Sequence, residues 1–137
     1  MKKTLMIAAS VAALVLTSCN EKDEVDPSFL NTAEISLTVK GTSKFKYEAG
    51  TCQLGYNPVK NEYRVCNDDM SDYYIVDLQS VPTAANQKIK GSITWTESDN
   101  LITKSGLEFI VASISGDGMV WLWNGKEKIG AIVSTLE

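Results

Sequence analysis

From residue 31 onward apolar and polar side chains alternate with a period of two, the signature of strands that bury one face. Ile35, Leu37 and Val39 alternate with Glu34, Ser36, Thr38 and Lys40, and Phe45 and Tyr47 alternate with Lys44, Lys46 and Glu48; Gly41-Thr42-Ser43 is the expected turn between them. Residues 73–78 are rich in the aromatic and β-branched types that suit a pleated surface. Residues 88–96 put Ile89, Gly91, Ile93 and Trp95 on one face, and residues 107–115 are apolar on both faces, as expected of a central strand. Gly116-Asp117-Gly118 turns the chain, residues 119–123 form another strand, Asn124-Gly125 carries a type I′ hairpin signal, and residues 129–136 close the pattern.

This amounts to about nine strands with no convincing helical period. Most links are short; longer ones are expected at residues 80–87 and 97–105. Short links make neighbours in sequence neighbours in the sheet. The expected architecture of residues 31–137 is therefore all-β, a single antiparallel meander of about eight to nine strands. A lipocalin-like barrel is preferred over a two-sheet β-sandwich, since so many strands must close or fold over to remove their edges.

The N-terminus breaks this pattern. Lys2 and Lys3 precede an apolar stretch from Leu5 to Leu16 that falls short of the roughly 20 residues a membrane span requires. It has the layout of a secretory signal, assigned to residues 1–18. Leu16-Thr17-Ser18-Cys19 resembles the bacterial lipobox, in which the Cys thiol is acylated and a small residue precedes the cleaved bond. The resemblance implies that Cys19 becomes the first residue of the mature chain and holds it to a membrane through two or three acyl chains, enough for stable anchoring. Lys22-Asp23-Glu24, just beyond, resembles the export signal of Bacteroidota lipoproteins. The chain is thus similar to the small surface lipoproteins of that group. The resemblance implies an outer-membrane location with display at the cell surface, a periplasm-facing anchor being the alternative. Residues 19–30 read as the lipidated Cys and an acidic flexible tether.

With Cys19 assigned to the anchor, Cys52 and Cys66 remain. Residues 52–56 and 62–66 read as a hairpin, and centring its turn on Val59 sets Cys52 opposite Cys66. Export to an oxidising compartment favours their pairing. The expected disulfide would close a loop of about 15 residues, worth about 3 kcal/mol.

Composition narrows the chemistry. Among 137 residues there are 13 basic and 17 acidic side chains, a net charge of −4, and no His. Nucleic-acid binding wants a basic face and is not expected. His-based triads and His-ligated metal sites are excluded. Ser43-Lys44-Phe45-Lys46, Ser98-Asp99-Asn100 and Lys104-Ser105-Gly106 match or approach the three signatures of serine β-lactamases. That reading is rejected: the first Ser sits in a β turn instead of opening a helix, and the last two motifs lie too close together. Asn67-Asp68-Asp69-Met70-Ser71-Asp72 clusters oxygen ligands but lacks the Gly and distal Glu of a calcium loop.

No catalytic residue, metal or cofactor is expected, and the chain does not read as an enzyme. The ligand-binding candidates are Trp121 and Trp123, which point from the same face of one strand. Val120 and Leu122 are expected in the core, with at least one of the two Trp rings partly exposed beside Lys126 or Lys128. The functional expectation is a non-enzymatic binding module for a glycan or another small amphipathic ligand. The alternative is a structural or accessory subunit of a cell-envelope complex, with an envelope protein as its partner.

Overall fold

The structure, a computed structural model, describes residues 25–135. Cys19, Lys22, Asp23 and Glu24 lie outside the described residues. A single helical turn, α1 (Pro27–Leu30), is followed by nine strands: β1 (Glu34–Val39), β2 (Thr42–Glu48), β3 (Gln53–Asn57), β4 (Glu62–Cys66), β5 (Tyr73–Leu78), β6 (Lys88–Glu97), β7 (Asn100–Ile114), β8 (Met119–Asn124) and β9 (Ile129–Ser134). They form one sheet in the order β2-β1-β9-β8-β7-β6-β5-β4-β3, with every recorded pairing antiparallel. The expected all-β meander and barrel-like curvature are both present.

The order shows how the barrel is built. Alternation from β9 through β8 down to β3, and from β9 through β1 to β2, gives β2 and β3 the same direction. Only four residues separate them, whereas side-by-side parallel strands need a crossover of a dozen or more. β2 and β3 are therefore the two edges of the curled sheet, the first paired with β1 and the second with β4. A turn at Glu48–Thr51 carries the chain from one edge to the other, and the β1–β9 pairing joins the first strands to the last.

The curled sheet leaves on its concave side a space that side chains can fill. Here Tyr63, Tyr74, Phe109, Trp95, Leu37 and Leu122 occupy it. Where β2 leaves the ladder, side chains close the wall. Phe45 meets Tyr74 edge-on at 5.2 Å between ring centres, and Asn67 donates to the Tyr47 hydroxyl at 3.3 Å. Glu97 accepts from the Trp95 indole at 3.0 Å and pairs with Lys44 at 3.1 Å, tying β2 to β6.

The β1–β9 ladder is short, with only Leu37–Ala131 and Thr38–Gly130 in register. Beyond it the buried Tyr74 hydroxyl, reaching across from β5, donates towards the carbonyls of Ile132 and Ser36. Burial holds this phenol well above its ordinary pKa, so the hydroxyl keeps its proton. The buried Tyr63 hydroxyl serves no backbone carbonyl and lies beside the phenol of Tyr56, on which its ring stacks at 4.8 Å.

Several turns differ from the sequence reading. The type I′ geometry appears at Lys40-Gly41 and Ser98-Asp99, where both central residues have positive φ. The second of these replaces the expected long link, so β7 begins at Asn100. At residues 125–128 the connection is instead a four-residue loop. The Asn124 side chain accepts from Glu127 N–H at 2.7 Å and donates to the Glu108 carbonyl at 2.8 Å, organising the loop itself.

The β3–β4 hairpin corrects the disulfide. Asn57 belongs to the strand and pairs with Glu62; its side chain accepts from Val59 N–H at 3.0 Å, and Asn61 takes positive φ. The loop thus has four residues, and Cys66 pairs with Gln53 instead of Cys52. A one-residue slip in register exchanges faces. Cys52 packs towards the core, Cys66 lies on the outer face, and both are free thiols. Burial raises the Cys52 thiol above its ordinary pKa, so it is not activated as a nucleophile. In the native protein an alkylating reagent is expected to modify the half-buried Cys52 faster than Cys66, which is 6% exposed. Recovery of a peptide joining Cys52 to Cys66 under non-reducing conditions would overturn this register.

Candidate functional site

The barrel interior is filled, so the candidate site lies on its outer wall. The end of the expected tether forms part of it. Pro27 opens α1, where its missing N–H costs nothing, and Asp26 caps the turn by accepting from Ser28 N–H at 3.0 Å and Ser28 Oγ at 2.8 Å. These bonds hold the Asp26 carboxyl below its ordinary pKa. Phe29 is buried against the sheet. The described domain therefore includes residues 25–30, which the sequence reading assigned to a flexible tether.

Phe29 can dock because of Gly130. On the outer face Trp123 and Thr38 lie opposite Gly130 on its two sides. A Cβ at Gly130 would stand 3.0 Å from the Phe29 ring and 3.1 Å from Thr38 Oγ1. The missing side chain leaves room for Phe29, whose ring centre is 5.9 Å from that of Trp123.

Beside α1 runs a groove of about 260 Å³. Trp123 and Phe29 supply its aromatic surface, and Ser28, Thr32, Ser36, Thr38 and Ser43 supply hydroxyls. Its charges are balanced between Asp26 and Glu34 on one side and Lys46 and Lys128 on the other, with Lys46 Nζ 3.5 Å from Glu34 Oε1. A second groove, of about 230 Å³, lies towards the other end of β8; Trp121, Met119, Ile132, Ala49, Ser115 and Asp117 help line it. Ser115 hydrogen-bonds Asp117 and holds that carboxyl below its ordinary pKa. Thr32 and Glu34 line both grooves.

The two tryptophans divide as expected on exposure. Val120 and Leu122 are fully buried, Trp121 is half-buried, and Trp123 is 7% exposed beneath Phe29. The expected lysine is not beside the exposed ring: Lys128 shares the groove with the buried Trp123, and no Lys lines the groove at Trp121. The Nε1 atoms of both rings are buried without a hydrogen-bond partner, which is uncommon for an indole N–H. The sequence reading missed Phe29, Glu34, Lys46 and Gly130 as parts of this surface. Phe29 and Leu30, apolar residues directly after the Asp26-Pro27-Ser28 run, were the available signal.

The remaining motifs settle into ordinary roles. Ser43 lies within β2, and Ser98-Asp99 is a hairpin turn. In the acidic loop Asn67 accepts from Asp72 N–H at 3.0 Å, and Asp69 accepts from the backbone and hydroxyl of Ser71. Among the described residues no three metal-ligating side chains come together. No protein-family model, curated protein or solved structure matches the chain.

Proposed function

We propose that this chain is a non-enzymatic binding module, held to the outer membrane through acyl chains on Cys19, displayed at the cell surface, and taking a glycan in the groove beside α1. The observation that carries the reading is a groove whose lining joins the aromatic rings of Phe29 and Trp123 to five hydroxyl side chains and an ion pair. Sugars present apolar C–H faces that stack on aromatic rings and hydroxyls that both donate and accept. Such a ligand could pack on the aromatic surface while hydrogen-bonding to the hydroxyls, the carboxylates and the lysines. The lipobox-like segment and Lys22-Asp23-Glu24 support the location.

A glycan array followed by calorimetry tests the ligand. Lys46→Ala and Lys128→Ala, both at the groove rim, are expected to weaken binding about tenfold, the loss of one charge-assisted hydrogen bond, without shifting the melting temperature. Unchanged affinity in both variants would remove the groove from consideration. Mass spectrometry of the mature N-terminus tests the anchor: a diacylglyceryl group on Cys19 is expected, and a free terminus elsewhere would refute it.

One observation favours the second reading, an accessory subunit of an envelope complex. On the side away from β6, β7 is paired only from Ile110 onward, and Leu101, 60% exposed, and Ile102 lie on the part that β8 leaves unpaired. Such an edge can receive a partner's strand.

A further inference from the structure

We infer that the grooves at Trp123 and Trp121 are two subsites of one surface, and that its ligand is a neutral oligosaccharide of at least two units. This rests on the glycan reading above and extends it to a chain. Residues two apart on a strand point the same way and stand about 7 Å apart along it, so β8 presents both indoles to the same side. Each groove has one of these tryptophans in its lining, Trp123 packed under Phe29 and Trp121 half-buried. The grooves adjoin, meeting at Thr32 and Glu34. Singly, at about 260 and 230 Å³, each is smaller than the roughly 300–1,000 Å³ usual for a ligand pocket, while the pair falls inside that range.

Charge selects the class of sugar. The first groove sets Lys46 against Glu34, and Lys128 against Asp26. The second is lined by Glu34 and Asp117 with no Lys or Arg. An anionic chain would meet the Asp117 carboxylate there with no cation in the lining to offset it, whereas neutral hydroxyls can donate to it. The ligand would run along β8, with one unit at Trp123 and the next at Trp121, crossing beside Thr32.

The test is calorimetry on the full-length lipoprotein in mild detergent, using malto-, cello- and chito-oligosaccharides of one to six units and an oligogalacturonate of matched length. In at least one neutral series, affinity is expected to rise about tenfold between one unit and two or three. Trp121→Phe, which shrinks the half-buried ring lining the second groove, should erase that gain and leave the affinity for one unit unchanged. Trp123→Phe should weaken both, and thermal melts should show each variant folded. Neutral sugars that bind with no dependence on length, or a gain untouched by Trp121→Phe, would overturn the two-subsite inference while leaving the glycan reading standing. Tighter binding of the oligogalacturonate would overturn the neutral class. No binding of any of these sugars, with an empty glycan array, would overturn both.

Discussion

Tyr74→Phe is expected to destabilise the domain by about 2 kcal/mol, while the chemically identical Tyr63→Phe leaves it unchanged or more stable by up to about 1 kcal/mol. Both phenols are fully buried, and each variant removes one oxygen. The difference lies in what that oxygen does. The Tyr74 hydroxyl donates towards the Ile132 and Ser36 carbonyls where the β1–β9 ladder ends, and Phe would leave them without that donor. The Tyr63 hydroxyl serves no backbone carbonyl and meets only the phenol of Tyr56, so its removal costs little and relieves part of the cost of burying a polar group. Urea unfolding read at constant m-value separates the two. Equal losses would mean that Tyr74 acts only by filling space.

Gly91→Ala is expected to cost about 3 kcal/mol, at the upper end for a single added methyl group. An added Cβ would stand 2.2 Å from the Asp77 carbonyl oxygen and 3.0 Å from a Leu78 methyl carbon. The obstacle is the backbone of the adjacent strand, which cannot turn aside as a side chain can. Relief requires parting β5 from β6 where Leu78 pairs with Gly91, next to a bulge in β7 at Ser105-Gly106. Gly116→Ala is the matched control, because nothing lies within 4 Å of its Cβ position; its effect is expected to stay within about 0.5 kcal/mol. Thermal melts of the two variants provide the comparison.

The alternation of Ile35, Leu37 and Val39, and of Ile89, Ile93 and Trp95, was enough to reveal the strands and their inward faces, because burial on one side imposes a period of two. Closure was legible only as a preference. Short links imply a meander, but nothing local shows that β1 pairs with β9 and leaves β2 and β3 as the two edges of the curled sheet. Register was least legible. Whether Asn57 ends a strand or begins a turn depends on its own side chain capping Val59, and that single residue separates a Cys52–Cys66 pair from two thiols on opposite faces. At the site, the shared face of Trp121 and Trp123 was readable from their spacing. Their surroundings were not, since Phe29, Glu34 and Lys46 meet Trp123 only through the long-range pairing of β1 with β9.

That pairing also bears on how the molecule opens. Two ladder pairs, the Lys40 N–H bonding to the β8–β9 loop, the Tyr74 phenol and the Phe29–Trp123 contact join the first strands to the last, so a short ladder bears the entropy of closing a long loop. The sheet is expected to open along this line more readily than along the long β6–β7 ladder. The groove at Trp123 lies across the line: Ser36, Thr38 and Lys46 come from one bank, Trp123 and Lys128 from the other. Anything held there acts as a clasp, and occupancy would slow amide hydrogen exchange in β1 and β9 more than in β5.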